Sequence, residues 1–233
     1  LKVFLTGACG FIGSNIARAL LSRGFEVRAF DLGDSTSLDG VEVEHVRGDL
    51  RDPDAIERAM AGCQVVIHTG ALYELSGHPE SLYLAVNVEG TRNVLAAAKR
   101  HGIDRIVYTS SVATVRPRAD GTPADESSFQ TPDGAPGPYE RSKVLAEHVA
   151  LAEAATGAPI VILNPTTPFG PWDARPTPSG RIVVDFCNGR MPVYLDTGLN
   201  VVDVEDVAMA HVDAIERGAA GERHILGCAN LRL

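Results

Sequence analysis

Short apolar runs alternate along the chain with segments whose apolar residues recur at helical spacing. The runs predict six strands, at residues 3–6, 25–30, 41–46, 64–68, 105–109 and 159–163. The helical spacing predicts helices at 14–22, 53–61, 79–101 with an interruption near 87–90, and 139–155. Strands that alternate with helices are typical of a parallel sheet covered on both faces, so the pattern predicts a doubly wound α/β fold.

The pattern changes after Pro165, where prolines become dense and the apolar runs become short. Here we expect a helix near 180–187, short strands near 193–195 and 201–204, a helix near 207–217 and a strand at 223–226. The sequence thus predicts a second, smaller lobe over residues 166–233. We interpret it as a substrate-side lobe that is interleaved with the first domain and incomplete at its C-terminal end.

A glycine-rich turn joins the first predicted strand to the first predicted helix. Gly7, Gly10 and Gly13 form a G-x-x-G-x-x-G pattern. The first glycine permits a tight turn, the second a close approach of the backbone to a pyrophosphate, and the third close packing of helix on strand. This context predicts a Rossmann-type dinucleotide-binding domain over residues 1–165, and the candidate contacts in the loop are Gly7, Cys9, Gly10, Phe11, Ile12 and Gly13.

Further candidate cofactor contacts lie where the next strands end. Asp31 ends the second predicted strand, and its carboxylate suits ribose hydroxyls while repelling a 2′-phosphate, so NAD is favoured over NADP. Ligands bind at the carboxyl ends of such strands, which adds Asp49 and Leu50 after the third strand and Thr69, Gly70 and Ala71 after the fourth. His68 has no ligand-type neighbour at a suitable spacing, and we interpret it as structural rather than metal-binding.

Candidate chemistry follows the fifth strand. Tyr139 and Lys143 are four residues apart in a predicted helix and therefore share one face. A nearby ammonium lowers the pKa of a phenol, which would let Tyr139 exchange a proton with a substrate oxygen. Ser110 and Ser111 close the fifth strand, where a hydroxyl can donate to the same oxygen. One of these serines is expected only to satisfy backbone groups.

Composition narrows the classes of partner. The 233 residues carry a net charge of −9, which gives no basic footprint for nucleic acid. The four cysteines are far apart, so neither a zinc site nor a disulfide framework is expected. No apolar run is long enough for a membrane span, and the N-terminal apolar stretch is too short for a signal peptide. We therefore expect a cytoplasmic enzyme with a small-molecule substrate and no metal.

These motifs together resemble the extended short-chain dehydrogenase/reductase family, also called the NAD-dependent epimerase/dehydratase family. The resemblance implies NAD as cofactor and Ser111, Tyr139 and Lys143 as the catalytic residues. It also implies that Tyr139 and Lys143 contact the cofactor and that Pro165 and the segment after it line the nicotinamide. The candidate substrate contacts are Ser111, Asn164 and Arg181. The resemblance to this family also implies a homodimer formed through the helices at 79–101 and 139–155.

Within the family, residues 107–114, 164–171 and 176–199 resemble the hopanoid-associated sugar epimerase group, which is similar to dihydroflavonol reductases. Two departures matter. Val112 and Ala113 stand where related dehydratases carry an Asp-Glu pair, so dehydration is not expected. Leu199 and Asn200 stand where epimerases of nucleotide sugars carry an arginine. Arg175 and Arg181 are then the candidate anion contacts, with plain surface charge as the alternative.

Three functions stay open on the sequence. The first is a redox enzyme that acts on a secondary alcohol or ketone, of a sugar-like or other polyol or ketone substrate, either as an epimerase or as a net reductase similar to dihydroflavonol reductase. The second is a non-catalytic protein that senses dinucleotides, which the joint presence of Ser111, Tyr139 and Lys143 disfavours. The third is a lyase or dehydratase, which Val112 and Ala113 disfavour.

Overall fold

The computed structural model describes residues 1–34, 36–74, 77–193 and 196–232. Its elements follow the chain as β1 (Lys2–Thr6), α1 (Phe11–Ser22), β2 (Glu26–Asp31), β3 (Glu44–Arg47), α2 (Pro53–Met60), β4 (Val65–His68), α3 (Glu80–Tyr83), a π-helical segment (Leu84–Glu89), α4 (Gly90–Arg100), β5 (Arg105–Thr109), α5 (Pro138–Ala155), β6 (Ile160–Pro165), β7 (Thr167–Phe169), α6 (Pro178–Cys187), β8 (Gly198–Asp203), α7 (Val204–Arg217), β9 (Arg223–Leu226) and β10 (Ala229–Arg232).

Seven strands form one sheet in the order β3-β2-β1-β4-β5-β6-β9, and each neighbouring pair is parallel. The order 3-2-1-4-5-6 is that of the dinucleotide-binding doubly wound fold. The predicted Rossmann-type fold is therefore confirmed. It also fixes the place of a ligand, because the chain leaves β1 and β4 in opposite directions and opens a crevice at their carboxyl ends.

The large sheet separates two apolar cores. Val3 and Leu5 of β1 face one core, which α1 and α7 cover, while Phe4 between them faces the other core, which α2, α4 and α5 cover. This alternation follows from the two-residue period of a strand. The strands β4 and β6 are buried along their whole length, as their unbroken apolar runs predict.

Residues after Pro165 contribute to both sheets. A small sheet has the order β10-β8-β7, whereas β9 joins the large sheet beside β6 and α7 packs against α1. The division at residue 165 stays a prediction. The strand predicted at 193–195 falls on residues 194 and 195, which lie outside the described residues. The pattern predicts neither β7, which contains Pro168, nor β10.

The helix predicted at 79–101 is divided into α3, the π-helical segment and α4. Asn87, within the π-helical segment, accepts a hydrogen bond from the N–H of Leu72 at 2.7 Å and donates to Ser142 Oγ at 2.8 Å. Gly90, the first residue of α4, packs closely against Leu50, because a Cβ on Gly90 would lie 2.9 Å from Cβ of Leu50. Local π-helical turns often adjust a helix at a functional site.

The described residues contain neither a membrane-spanning helix nor a cluster of metal ligands. No helix in them is both long and apolar enough to cross a bilayer. No three His, Cys, Asp or Glu side chains in them come together as metal ligands would. The helices of the predicted dimer interface are present as α3, α4 and α5, and the dimer itself stays a prediction.

Candidate active site

A cavity of about 970 Å³ lies at the carboxyl ends of the central strands. Its walls come from the glycine turn, from the loops after β2, β3, β4 and β5, from α5, and from the segment after β6. It is lined by all of the cofactor and catalytic residues that the sequence nominates, namely Gly7, Cys9, Gly10, Phe11, Ile12, Gly13, Asp31, Asp49, Leu50, Thr69, Gly70, Ala71, Ser111, Tyr139, Lys143 and Pro165.

The glycine turn is tight enough to exclude side chains. Gly7 has φ +68°, and a Cβ there would lie 2.6 Å from Cα of Gly70. A Cβ on Gly13 would lie 2.1 Å from the carbonyl oxygen of Gly7. The helix α1 begins at Phe11 rather than at Ser14, because the N–H of Ser14 already bonds the carbonyl of Gly10 at 2.9 Å. Its first N–H groups thus face the cavity edge, where a helix N-terminus favours phosphate.

Asp31 ties this turn to the end of β2. One carboxylate oxygen accepts from the N–H of Cys9 at 2.9 Å, and the other accepts from the N–H of Gly33 at 2.8 Å. Each carboxylate oxygen can accept a second hydrogen bond. Asp31 is therefore held in place at the cavity wall and keeps the capacity to accept from ribose hydroxyls.

The loops after β3 and β4 form the next part of the wall. Arg51 holds the carboxylate of Asp49 and lowers its pKa. The hydroxyl of Thr6 joins the N–H of Gly70 at 3.2 Å to the ring of His68 at 2.6 Å. Burial lowers the pKa of His68 to about 3, so its ring is neutral at pH 7. The ring thus connects strands rather than carrying charge.

Ser111 and Tyr139 both line the cavity near the end of β5. Ser111 begins a short 3₁₀ turn (Val112–Thr114) and accepts the N–H of Ala113 at 3.1 Å. Tyr139 lies in the first turn of α5, directly after Pro138. Burial raises the pKa of Tyr139 to about 12, although a hydrogen bond with Ser111 lowers it in part. The phenol therefore carries its proton at neutral pH.

Lys143 is buried one turn further along α5. Its ammonium donates to the carbonyl oxygen of Thr109 at 2.9 Å and lies 3.5 Å from the hydroxyl oxygen of Tyr108. Burial lowers the pKa of Lys143 to about 8, against the opposing charge of Glu147. The helical spacing of Tyr139 and Lys143 predicts that this ammonium lowers the pKa of Tyr139. In this structure the pKa of Tyr139 instead rises, because burial dominates and Lys143 is engaged with β5.

The candidate substrate residues other than Ser111 do not line the cavity. Asn164 is fully buried, and its amide nitrogen lies 2.6 Å from Glu147 Oε2 and 2.9 Å from Thr114 Oγ1. Arg181 is exposed on α6. Arg175, the other candidate anion contact, does lie at the cavity, where it pairs with Asp34 at 3.1 Å.

Sequence reasoning missed the segment that closes the cavity beside α1. Trp172, at φ +70°, stacks against the guanidinium of Arg18 at 3.9 Å, and Asn15 donates to the carbonyl of Pro171 at 3.0 Å. The dense prolines mark an irregular segment but do not show which surface it covers. The pattern also gives no sign of the place of Ser110. Its hydroxyl is buried at the cavity, and it has no hydrogen-bond partner within the described ranges.

Comparison with known proteins matches nearly the whole chain to one family. The model of the "NAD dependent epimerase/dehydratase family" matches residues 3–227. A candidate dihydroflavonol 4-reductase of Synechocystis sp. is 46% identical over 99% of this chain and 68% of its own length. Sterol demethylase protein B of Methylococcus capsulatus is 37% identical, with 97% and 69% covered. The 2-alkyl-3-oxoalkanoate reductase of Stenotrophomonas maltophilia is also 37% identical, with 95% and 67% covered.

A solved structure agrees with these relatives. The UDP-glucose 4-epimerase of Thermus thermophilus, determined with NAD, superposes with a TM-score of 0.86 at 26% identity and covers 100% of this chain and 79% of its own. The strand order of the large sheet and the family match agree. The chain therefore belongs to the NAD-dependent epimerase/dehydratase family, the extended short-chain dehydrogenases/reductases, and is an oxidoreductase of that type.

Proposed function

We propose that this oxidoreductase reduces the carbonyl of a largely apolar ketone, with NAD(H) as cofactor and Tyr139 as the proton donor. The observation that carries the proposal is the convergence of Ser111, Tyr139 and Lys143 on the cavity that also holds the glycine turn. The glycine turn and Asp31 suit a dinucleotide, because a Cβ on Gly7 or Gly13 would collide with neighbouring backbone. When bound there, the nicotinamide supplies the hydride.

The protonation state of Tyr139 favours the reductive direction. A phenol with a pKa of about 12 keeps its proton at pH 7 and can donate it to the oxygen of a ketone as an alcohol forms. Ser111, which lines the same cavity, can donate to the same oxygen and stabilise its developing charge. Lys143 supplies positive charge next to the reacting groups, and its ammonium has hydrogen-bond donors for a ribose of the cofactor. The names of the reductase relatives fit this direction.

The cavity wall supports an apolar substrate. Leu82 lines it from α3 and Val86 from the π-helical segment, whose Asn87 is bonded to Ser142 on α5. Among the described lining residues, each arginine already faces a carboxylate, Arg51 with Asp49 and Arg175 with Asp34. A diphosphate sugar would need a free cation for its pyrophosphate. The substrate is therefore a ketone without such a group.

An epimerase is the second candidate, because one of the solved structures that superpose well is named as an epimerase and the same three side chains would serve it. The two functions differ in whether the reduced cofactor leaves the protein. The test is to purify the protein, measure the absorbance of any retained dinucleotide, and follow NADH oxidation with a series of apolar ketones. Net oxidation with rapid cofactor exchange supports the reductase. Tight retention without net turnover contradicts it and favours the epimerase.

Changing Asp31 to Ala is expected to narrow the preference for NADH over NADPH. The carboxylate repels a 2′-phosphate and accepts from the ribose hydroxyls, and alanine removes both effects. The ratio of kcat/KM for the two cofactors measures the change. Asp39→Ala is the matched control, since Asp39 is exposed and does not line the cavity. A wild-type protein that prefers NADPH would contradict the assignment of NAD.

The pH dependence should report Lys143. The ammonium is charged below its pKa of about 8, so kcat/KM for the reduced cofactor should hold below pH 7 and fall about tenfold between pH 7 and pH 9. Tyr139 titrates near 12 and His68 near 3, outside this interval. Lys143→Arg keeps its charge throughout and should remove the fall. A wild-type profile that stays flat to pH 9 would show that this ammonium does not act on the cofactor.

A further inference from the structure

A third side chain continues the face of α5 that carries Tyr139 and Lys143. Glu147 lies four residues beyond Lys143 and is almost completely buried. One of its carboxylate oxygens lies 3.0 Å from Nε of Arg223, and the other accepts from Thr114 Oγ1 at 2.8 Å and from Asn164 Nδ2 at 2.6 Å. None of these four side chains lines the cavity.

Arg223 comes to this point from β9 and is as deeply buried as its partner. Its guanidinium donates to the carbonyl of Glu126 at 2.7 Å and to both the carbonyl and the hydroxyl of Thr114 at 3.2 Å, and it stacks on the ring of Phe129 at 4.3 Å. Burying two charges costs solvation that their attraction repays only in part, so a buried ion pair is weak evidence for stability. The alternative explanation for the buried Glu147–Arg223 pair is a role in the active site.

The cluster holds the residue next to the chemistry. The carbonyl oxygen of Ser111 lies 2.8 Å from Thr114 Oγ1 and 3.2 Å from Asn164 Nδ2. The hydroxyl of Thr114 has one proton, which the carbonyl of Ser111 and the carboxylate of Glu147 share. The orientation of the Asn164 amide is fixed as well, because its oxygen turned towards Glu147 would face a carboxylate. The carbonyl of Ser111 is therefore held by hydrogen bonds from Thr114 and Asn164, which do not line the cavity.

We propose that Glu147, Arg223, Asn164 and Thr114 form a positioning cluster that holds the backbone of Ser111 at the cavity and places the carboxylate of Glu147 one helical turn from Lys143. The inference rests on the proposed function, since it concerns the same three catalytic side chains. The cluster joins α5, β6, β9 and the turn after β5. Two of its side chains are charged, and the other two each make more than one hydrogen bond. Its members act on the reaction through Ser111 and Lys143 and do not touch the substrate.

The charge of Glu147 acts on Lys143 along the helix. Lys143 is faced by Tyr139 and Glu147 from α5, by Tyr108 from β5 and by His68 from β4. Glu147 is the carboxylate in this set and opposes the effect of burial, whereas Tyr108, Tyr139 and His68 are neutral at pH 7 because burial shifts the pKa of each. Removing the carboxylate should therefore lower the pKa of Lys143 further.

Thr114→Val tests the hold on Ser111. Valine has nearly the same shape, so the variant should fold while losing the hydroxyl that joins Glu147 to the carbonyl of Ser111. Misplacement of a catalytic group lowers turnover, and we expect kcat to fall between about tenfold and a hundredfold, with KM for the cofactor unchanged and the limb of the pH profile near 8 in its original place. Full kcat in a folded Thr114→Val protein overturns the positioning of Ser111.

Two further variants test the charge. The double change Glu147→Gln with Arg223→Met removes both buried charges, so neither is left unpaired, and the limb near pH 8 should move about one unit lower. Glu147→Asp keeps the charge and should leave the limb in place. The matched control is Glu57→Gln with Arg100→Met, an exposed pair on α2 and α4, which should alter neither kcat nor the profile. An unmoved limb in the folded double variant overturns the role of Glu147.

The same assays separate this inference from the proposed function. Tyr139→Phe is measured beside them. If Tyr139→Phe keeps its turnover, the proposed function fails. If Tyr139→Phe is inactive while Thr114→Val and the double variant behave as wild type, the positioning cluster alone is refuted.

Discussion

Replacing Tyr139 with Phe is expected to lower kcat by about 10²–10⁴-fold, the usual contribution of a positioned acid or base. The change removes one oxygen from a half-buried side chain and leaves the ring in the first turn of α5. The affinity for dinucleotide, measured by fluorescence titration, should stay within about twofold because Tyr139 contributes little to uniform binding of the cofactor. Steady-state oxidation of NADH with a ketone substrate gives kcat.

Tyr83→Phe is the matched control for that variant. Tyr83 is a buried tyrosine of α3 that does not line the cavity, and its hydroxyl donates to the carbonyl of Glu74 at 2.7 Å. Loss of this hydrogen bond should cost about 0.5–1.5 kcal/mol of stability and leave turnover unchanged. Undiminished turnover in Tyr139→Phe would remove Tyr139 from the mechanism.

Changing Gly13 to Ala is the second large effect. Because the new Cβ would lie 2.1 Å from the carbonyl oxygen of Gly7, the turn and α1 must separate. Overpacking of this kind lowers the free energy of unfolding by about 1–3 kcal/mol. Loss of even one N–H bond to a phosphate, worth about 1.5–3 kcal/mol, should raise the Kd for dinucleotide at least about tenfold. Thermal unfolding and dinucleotide titration measure the two effects.

Gly24→Ala separates strain from binding. Gly24 has φ +79°, and a Cβ there would meet no described atom within 4 Å, so alanine costs about 1–2 kcal/mol of left-handed strain without a collision. Gly24 lies after α1, at the end remote from the glycine turn, and the Kd should not change. A Gly13→Ala protein that binds dinucleotide as tightly as Gly24→Ala would contradict the proposed phosphate site.

The parts of the fold that depend on local pattern could be predicted. The six central strands and their helices follow from apolar periodicity, and their alternation indicates the doubly wound fold. The glycine turn was recognisable because its spacing falls between a strand and a helix. Its residues, with Asp31, Ser111, Tyr139 and Lys143, do line the same cavity.

The parts that depend on long-range contacts could not be predicted. The π-helical segment reflects hydrogen bonds of Asn87 to Leu72 and Ser142, residues far away in the chain. Trp172 covers α1 through Arg18, and nothing local to either residue indicates that contact. The rise in the pKa of Tyr139 escaped prediction for the same reason. Helical spacing places Lys143 nearby, but burial and the acceptors on β5 decide the outcome.

Transfer of deuterium tests the central claim most directly. The protein is incubated with NADH carrying deuterium at both C4 positions of the nicotinamide and with an apolar ketone, and the product alcohol is examined by mass spectrometry and NMR. We predict one deuterium on the carbinol carbon for each NADH oxidised, and almost none formed in the same time by Tyr139→Phe. An alcohol without deuterium, or labelled product formed equally fast by Tyr139→Phe, would contradict the proposal.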